Sequence, residues 1–279
     1  MKNKLKSNFV RINNRLNLHY LEEKNRSDYT LLLIHGLSSS AYLWEPITKK
    51  FNNHDLNIYA LDLRGHGLSD KPDGEYSLSQ LSQDVKSFII QKKLENIIVV
   101  GQSMGADLGV ILSSEKNSKI VGCVCIDGGA IDLKQKYRDW DNCFDKLKPP
   151  MLDGEDKDSL MKRWKRYKTD WPQEALDSQM NIFEIDSENK IKKRLSLENH
   201  MKIVRSIWEN KPYLYLNSLE VPILFILVNF SLNYKKIVNK NLNIKQVKLE
   251  GDHDIHAQKP DIVSDIIVSA IQENFFEES

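Results

Sequence analysis

The sequence predicts an α/β protein: a mostly parallel central sheet flanked by helices, with an inserted helical cap. Three observations lead there. Short runs of Ile, Leu and Val recur without polar alternation, as expected of strands covered on both faces. Helical stretches separate them, and strand–helix–strand repeats build right-handed crossovers in a parallel sheet. The alternation then stops for one long charge-rich stretch and resumes near the C-terminus.

The strand runs in the first half are Thr30 to Ile34, Leu56 to Leu61, Asn96 to Val100 and Ile120 to Ile126. Between the second and third, Tyr76 to Leu94 opens with Ser77 and Gln80 at capping-box spacing. It then places Leu78, Leu81, Val85, Phe88 and Ile89 at helical intervals, which predicts an amphipathic crossover helix. From about Asp132 to Leu216 the chain is charge-rich and helix-like, and it carries four of the five tryptophans: Trp140, Trp164, Trp171 and Trp208. Strand signals return at Pro222 to Val228 and Ile244 to Leu249. A final helix starts at Pro260, with Ile262, Val263, Ile266, Ile267, Ala270 and Ile271 on one stripe. The predicted organisation is a core over 1–131 and 217–279, interrupted by a helical cap over 132–216.

With 41% hydrophobic and 28% charged residues in 279, the chain can bury a sizeable core. Forty Lys and Arg stand against 39 Asp and Glu, a formal charge of +1, so no global field favours nucleic acid or an anionic membrane surface. The run Val221 to Val228 contains Pro222 and is far shorter than the roughly 20 residues that cross a bilayer, so no stable membrane insertion is expected. The basic residues near Met1 lead into Arg11, Asn13, Asn14 and Arg15 instead of the apolar core of a signal peptide. Cys123 and Cys125 alternate along a predicted strand, where a bridge is sterically poor. Both features point to a cytoplasmic protein with reduced thiols.

Gly101-Gln102-Ser103-Met104-Gly105 follows directly on a strand run and precedes the helical stretch Ala106 to Leu112. In that setting G-x-S-x-G predicts a sharp turn that strains the serine and exposes its hydroxyl, with glycines where the chain passes close to its neighbours. Ser103 is the candidate nucleophile; the alternative is a serine in an ordinary helix-capping turn.

Here the chain resembles the α/β-hydrolase superfamily, in particular its lidded serine esterase and lipase-like members, over nearly its whole length. His35-Gly36-Leu37-Ser38-Ser39-Ser40 looks like the family's oxyanion loop, and Asp62-Leu63-Arg64-Gly65-His66-Gly67-Leu68-Ser69 like its turn after the next strand. Acyl transfer develops negative charge on a carbonyl oxygen, which backbone amides can bind. The Met104 N–H opens a helix beside the nucleophile, and the resemblance implies the Leu37 N–H as the second donor. His35 and His66 fall outside the implied triad and are expected to shape loops by bonding to backbone.

A serine nucleophile needs a general base with a pKa near neutrality. Gly251-Asp252-His253-Asp254-Ile255-His256-Ala257-Gln258-Lys259-Pro260 resembles the family's histidine loop, and its spacing favours His253 over His256. His19, His54 and His200 carry no motif. The acid departs from the common pattern. After the strand run ending at Val228, the expected carboxylate positions hold Asn229 and Ser231, and no Asp or Glu occurs from Val221 through Lys248. Some relatives place the acid one strand earlier, and here that strand ends in Asp127-Gly128-Gly129. Asp127 is therefore the assigned acid, with a turn or capping aspartate as the alternative.

Trp140 and Trp164 are candidate substrate contacts, against the equally open reading that the cap tryptophans pack its core. Lys134-Gln135-Lys136 and Lys162 to Arg166 read as solvated helix faces. The expected activity is cofactor-free hydrolysis of a carboxylic ester of a small or medium organic substrate, through an acyl-enzyme. Thioesters, lactones and carbon–carbon bonds are same-site alternatives, and a non-catalytic ligand-binding member of the fold is the alternative from another class.

Overall fold

In the computed structural model, which describes residues 5–13, 16–51, 54, 56–116, 119–229 and 231–277, ten strands are present. They are β1 (Lys6–Asn13), β2 (Leu16–Glu23), β3 (Thr30–Ile34), β4 (Asn57–Leu61), β5 (Ile97–Gln102) and β6 (Ile120–Ile126), followed by β7 (Phe183–Ile185), β8 (Ile191–Lys193), β9 (Ile223–Leu227) and β10 (Ile244–Lys248). All except β7 and β8 join one sheet in the order β1-β2-β4-β3-β5-β6-β9-β10. β2 pairs antiparallel with β1 and β4, and the remaining neighbours are parallel. The strands predicted from apolar runs are the parallel ones, and β3, β5 and β9 are buried along their whole length.

Successive side chains of a strand point to opposite faces, so one apolar run supplies two cores. From β3, Leu32 and Ile34 join the layer made with α2 (Leu78–Lys92) and α3 (Met104–Ser113). Leu31 and Leu33 face the layer made with α1 (Glu45–Phe51) and the C-terminal helix α11 (Pro260–Gln272). α2 begins where the capping signal predicts: Gln80 N donates to Ser77 Oγ at 3.1 Å. It ends at Lys93, whose left-handed φ of 52° stops the helix.

Between β6 and β9 the chain forms α4 (Leu133–Lys136), α5 (Trp140–Leu147), α6 (Lys157–Tyr167), α7 (Gln173–Met180), α8 (Leu197–Glu209) and α9 (Pro212–Leu216). Asp139, Asp156 and Ser196 cap three of these helices through their side chains. The stretch is not purely helical, because β7 and β8 pair as an antiparallel hairpin inside it. α8 does not stand apart from the sheet: its Ile203, Val204 and Ile207 join the core that contains α2 and β2. The short helix α10 (Ile255–Gln258) leads into α11. Cys123, Cys125 and Cys143 are buried thiols. Among the described residues, no helix is long and apolar enough to cross a membrane.

Phe88 shows what holds the α2 layer. It is fully buried and meets the Tyr20 ring edge-on at 5.1 Å and the Tyr59 ring at 6.1 Å. Phe88→Ala should remove about 3–5 kcal/mol of stability through lost burial and an unfilled cavity. Urea unfolding at constant m-value checks this, and a loss below about 1 kcal/mol would contradict the packing described.

Candidate active site

β3, β5, β6, β9 and β10 run parallel, so the loops after them open on one edge of the sheet. Leu37, Ser103, Asp127, Asn229 and His253 lie in those loops, where open α/β sheets place their ligands. A cavity of about 560 Å³ at this edge is lined by Leu37, Ser103, Met104, Asp127 and His253, with Tyr137, Val204 and Tyr213 among its other walls.

Ser103 sits between β5 and α3 with φ 53° and ψ −120°, a conformation that non-glycine residues avoid. The strained turn is held on both sides. The Ser103 N–H donates to Ile126 O at 2.9 Å, and a side chain at Gly105 would collide with the Ile34 and His35 carbonyl oxygens behind it. A side chain at Gly128 would strike the Ser103 backbone. These glycines let three strand ends crowd together. The Ser103 hydroxyl has no hydrogen-bond partner among the described residues and faces the cavity. Met104 is the first residue of α3, so its N–H lacks an intrahelical acceptor.

The Leu37 loop is laced by histidines. Leu63 N donates to His35 Nε2 at 3.1 Å, which leaves His35 Nδ1–H to donate to Gly36 O at 2.7 Å. Ser38 N likewise donates to His66 Nε2 at 3.1 Å, and His66 Nδ1–H donates to Arg64 O at 2.9 Å. Both rings are therefore neutral. Burial holds His35 below the usual histidine range and pushes His66 down to about 3. His200, which has no motif, bonds Ser38 Oγ at 2.8 Å and Leu147 O at 2.9 Å, tying this loop to the insertion.

Asp127 Oδ2 lies 2.6 Å from His253 Nδ1. Asp127 Oδ1 accepts the Val228 N–H at 3.0 Å and the Asn229 N–H at 2.9 Å. The segment after β9 thus contributes backbone donors to a carboxylate supplied by β6. Burial pushes the Asp127 carboxyl up, but the His253 bond and the two amides outweigh it and hold it below the usual range. Burial pulls His253 down; the Asp127 bond and the Asp254 charge prevail and raise it. With Nδ1–H donated to Asp127, His253 Nε2 is left to take a proton. The ring is half exposed, and the carbonyl of its residue accepts Gln102 Nε2–H at 3.1 Å.

Trp140 and Trp164, read from the sequence as candidate substrate contacts, are not among the residues that line this cavity. Trp140 packs edge-on against Phe144 and Trp208, each at 6.0 Å. Trp164 stacks on Phe183 at 6.2 Å. Their ring area fills the insertion's own packing. Lys136, read from the sequence as a solvated position, does border the cavity.

Comparison with known proteins agrees with this architecture. A family model for the alpha/beta hydrolase fold matches residues 29–227, and the chain belongs to that family. It is 25% identical over 254 residues to an abhydrolase domain-containing protein of Schizosaccharomyces pombe, covering 86% of this chain and 90% of that one. It is 32% identical over 97 residues to the 2-(acetamidomethylene)succinate hydrolase of Mesorhizobium japonicum, covering 35% of this chain. It is 31% identical over 105 residues to the haloalkane dehalogenase of Agrobacterium fabrum, covering 38%. These last two alignments span about a third of each relative, 34% in both cases. The crystal structure of E-2-(acetamidomethylene)succinate hydrolase shares the fold at a TM-score of 0.80 and 20% identity, over 96% of this chain and all of that one. Members of this family are hydrolases of several kinds, and this chain shares their hydrolase scaffold.

Asp107 is a site neighbour that sequence reasoning missed. It lies one turn after Ser103, fully enclosed, and Oδ1 accepts the Ile131 N–H at 3.2 Å, fastening α3 to the loop that begins at Asp127. Oδ2 has no partner. Burial pushes this carboxyl from 3.8 up to about 8, against the pull of the Ile131 and Gly129 amides. Between those values the unfolded chain has released a proton that the folded chain keeps, so this group's contribution to stability falls as pH rises from 3.8 towards 8. Asn cannot ionise. The stability of Asp107→Asn relative to the unsubstituted protein should therefore grow by about 1.4 kcal/mol per pH unit across that window. Urea midpoints at pH 5 and pH 7 test this, and a difference that does not change with pH would contradict it.

Proposed function

We propose that the chain is a serine hydrolase that cleaves a carboxylic ester of a small or medium organic substrate through an acyl-enzyme. The observation that carries this reading is the Asp127–His253 bond at the wall of the cavity that Ser103 enters on a strained turn. In the proposed reaction His253 Nε2 takes the Ser103 hydroxyl proton as Oγ attacks the carbonyl carbon. Asp127 stabilises the imidazolium, and the Leu37 and Met104 N–H groups receive the oxyanion. Collapse of the tetrahedral intermediate breaks the ester C–O bond, and His253 returns the proton to the leaving alcohol. Water, deprotonated by His253, then releases the carboxylic acid and restores Ser103. Rotation of Ser103 Oγ towards His253 on substrate binding completes the arrangement, since catalytic hydrogen bonds tighten in the reacting complex.

The dehalogenase among the relatives is named for a substrate that is not an acyl compound. Displacement of halide from carbon by an enzyme nucleophile of this fold uses a carboxylate, and the residue at this turn is Ser103. Residues 132–216 act in this reading as a cap over the site, and the protein works in the cytoplasm with its thiols reduced. Thioesters and lactones present the same carbonyl and are alternative substrates.

A fluorophosphonate probe should label the protein and fail to label Ser103→Ala; absence of labelling on folded protein refutes the reading. Asp127→Asn should lower kcat on p-nitrophenyl esters by about 10³- to 10⁴-fold, through loss of tautomer control. Asn229→Ala, which keeps the backbone amide, should change kcat little. The acid limb of kcat/KM should lie above pH 6.5, because His253 is raised from that value and must be neutral to act as a base. Activity is thus lost as pH falls through it, and Asp127→Asn should move that limb to lower pH. A limb that does not move would place the titration elsewhere.

A further inference from the structure

The loop that carries His253 is fastened to the insertion by a closed circuit of hydrogen bonds. Trp171 Nε1–H donates to Asp252 Oδ2 at 2.6 Å. The Asp252 N–H donates to Gln258 Oε1 at 2.6 Å, and Gln258 Nε2–H donates to Asp170 Oδ2 at 2.5 Å. Asp170 and Trp171 are consecutive, so the three bonds and one short stretch of backbone form a ring that includes the neighbour of the catalytic imidazole. The ring is anchored at both ends. Gln258 is buried, and Trp171 is buried in a cluster with Leu43, Leu176 and Ala257. Lys168 Nζ lies 3.3 Å from the centre of the Trp171 ring, where the charges of Asp254 and Asp252 act on it.

Asp170, Trp171, Asp252 and Gln258 do not line the cavity, and acyl transfer gives them no direct role. His253, in contrast, needs external support. Its ring is half exposed, so packing holds it weakly, and the bonds to Asp127 and Gln102 fix only one edge of the ring and one carbonyl. A base displaced by about 1 Å can lose about a hundredfold in rate. We propose that Asp170 and Trp171 are positioning residues for His253, acting through Gln258 and Asp252, so that the insertion sets the place of the general base. The inference rests on His253 being that base, as proposed above.

The decisive variant is Trp171→Phe, which keeps an aromatic ring in the cluster and deletes the N–H. On an ester substrate kcat should fall about 10- to 100-fold while KM stays within about twofold, since the lost order concerns the base and not substrate binding. Asp252→Ala should show the same fall, the double variant should fall no further than either single one, and Asp252→Asn, which keeps an oxygen acceptor, should recover most of the rate. NMR titration of the His253 ring gives a second readout. Asp127 and Asp254 raise its pKa while burial and Lys136 oppose them, and in Trp171→Phe the value should drop towards 6.5 as the Asp127 bond becomes intermittent.

Folded Trp171→Phe with unaltered kcat and an unaltered His253 titration overturns the proposal, and so does an additive double variant. If Trp171→Phe does not fold, the Asp252→Ala and Asp252→Asn pair makes the same comparison. Should the unsubstituted protein resist fluorophosphonate, the hydrolase reading fails; the His253 titration in the two proteins still decides whether the ring places the imidazole.

Discussion

The hydrogen bond between Asp127 and His253 spans 126 residues of sequence and sets the terms for everything around it. A carboxylate as enclosed as Asp127 is costly unless its charge is met by donors. Among the described residues the donors are the imidazole on one oxygen and the Val228 and Asn229 amides on the other. They converge because β9 lies beside β6 and β10 beyond it, so the loops after all three emerge along one edge. With the carboxylate kept ionised, His253 carries its proton on Nδ1 and leaves Nε2 towards the cavity. The chemistry of the far end of the chain is thereby decided at the end of β6.

Backbone strain occurs at the same place. Ser103 and Asp127 both have positive φ, 53° and 45°, and they follow adjacent strands. Non-glycine residues in such conformations cost on the order of 1–3 kcal/mol each and persist only where their surroundings leave no alternative. Here the surroundings are β-ladder bonds carried one residue past the strands: Ser103 N to Ile126 O, and Asp127 N to Ile226 O. The sheet is rigid because both of its faces are covered by buried aliphatic layers, and that rigidity holds the two side chains in their places.

Much of this is legible in the sequence, for particular reasons. β3, β5, β6 and β9 are buried on both faces and read as unbroken apolar runs, whereas β1 is a polar edge, Lys-Ser-Asn-Phe-Val-Arg-Ile-Asn, paired among the described residues with β2 alone. β2 alternates Leu16, Leu18 and Tyr20 into the core, a signal that was there to be used. The loops bearing Ser103 and His253 announced themselves by glycines and motif spacing, and Asp127 by the missing carboxylate after β9. The donors from Val228 and Asn229 could not be read, because any residue supplies a backbone N–H. Tryptophan identity was equally silent about role. Trp140 and Trp164 serve packing, while Trp171 uses its indole N–H on Asp252, and only tertiary geometry separates the three.

The insertion between β6 and β9 reaches two of the loops that line the cavity. His200 links it to Ser38 beside Leu37, and Asp170 with Trp171 links it to the segment around His253. Its helix α8 is meanwhile embedded in the core shared with α2 and β2. A segment attached at all three places cannot swing freely without breaking one of these contacts. Movement confined to α4 and α5, which border the cavity through Leu133, Lys136, Tyr137 and Leu147, leaves the Asp252 and Asp170 bonds intact. Movement of the segment carrying Lys168 to Trp171 breaks them.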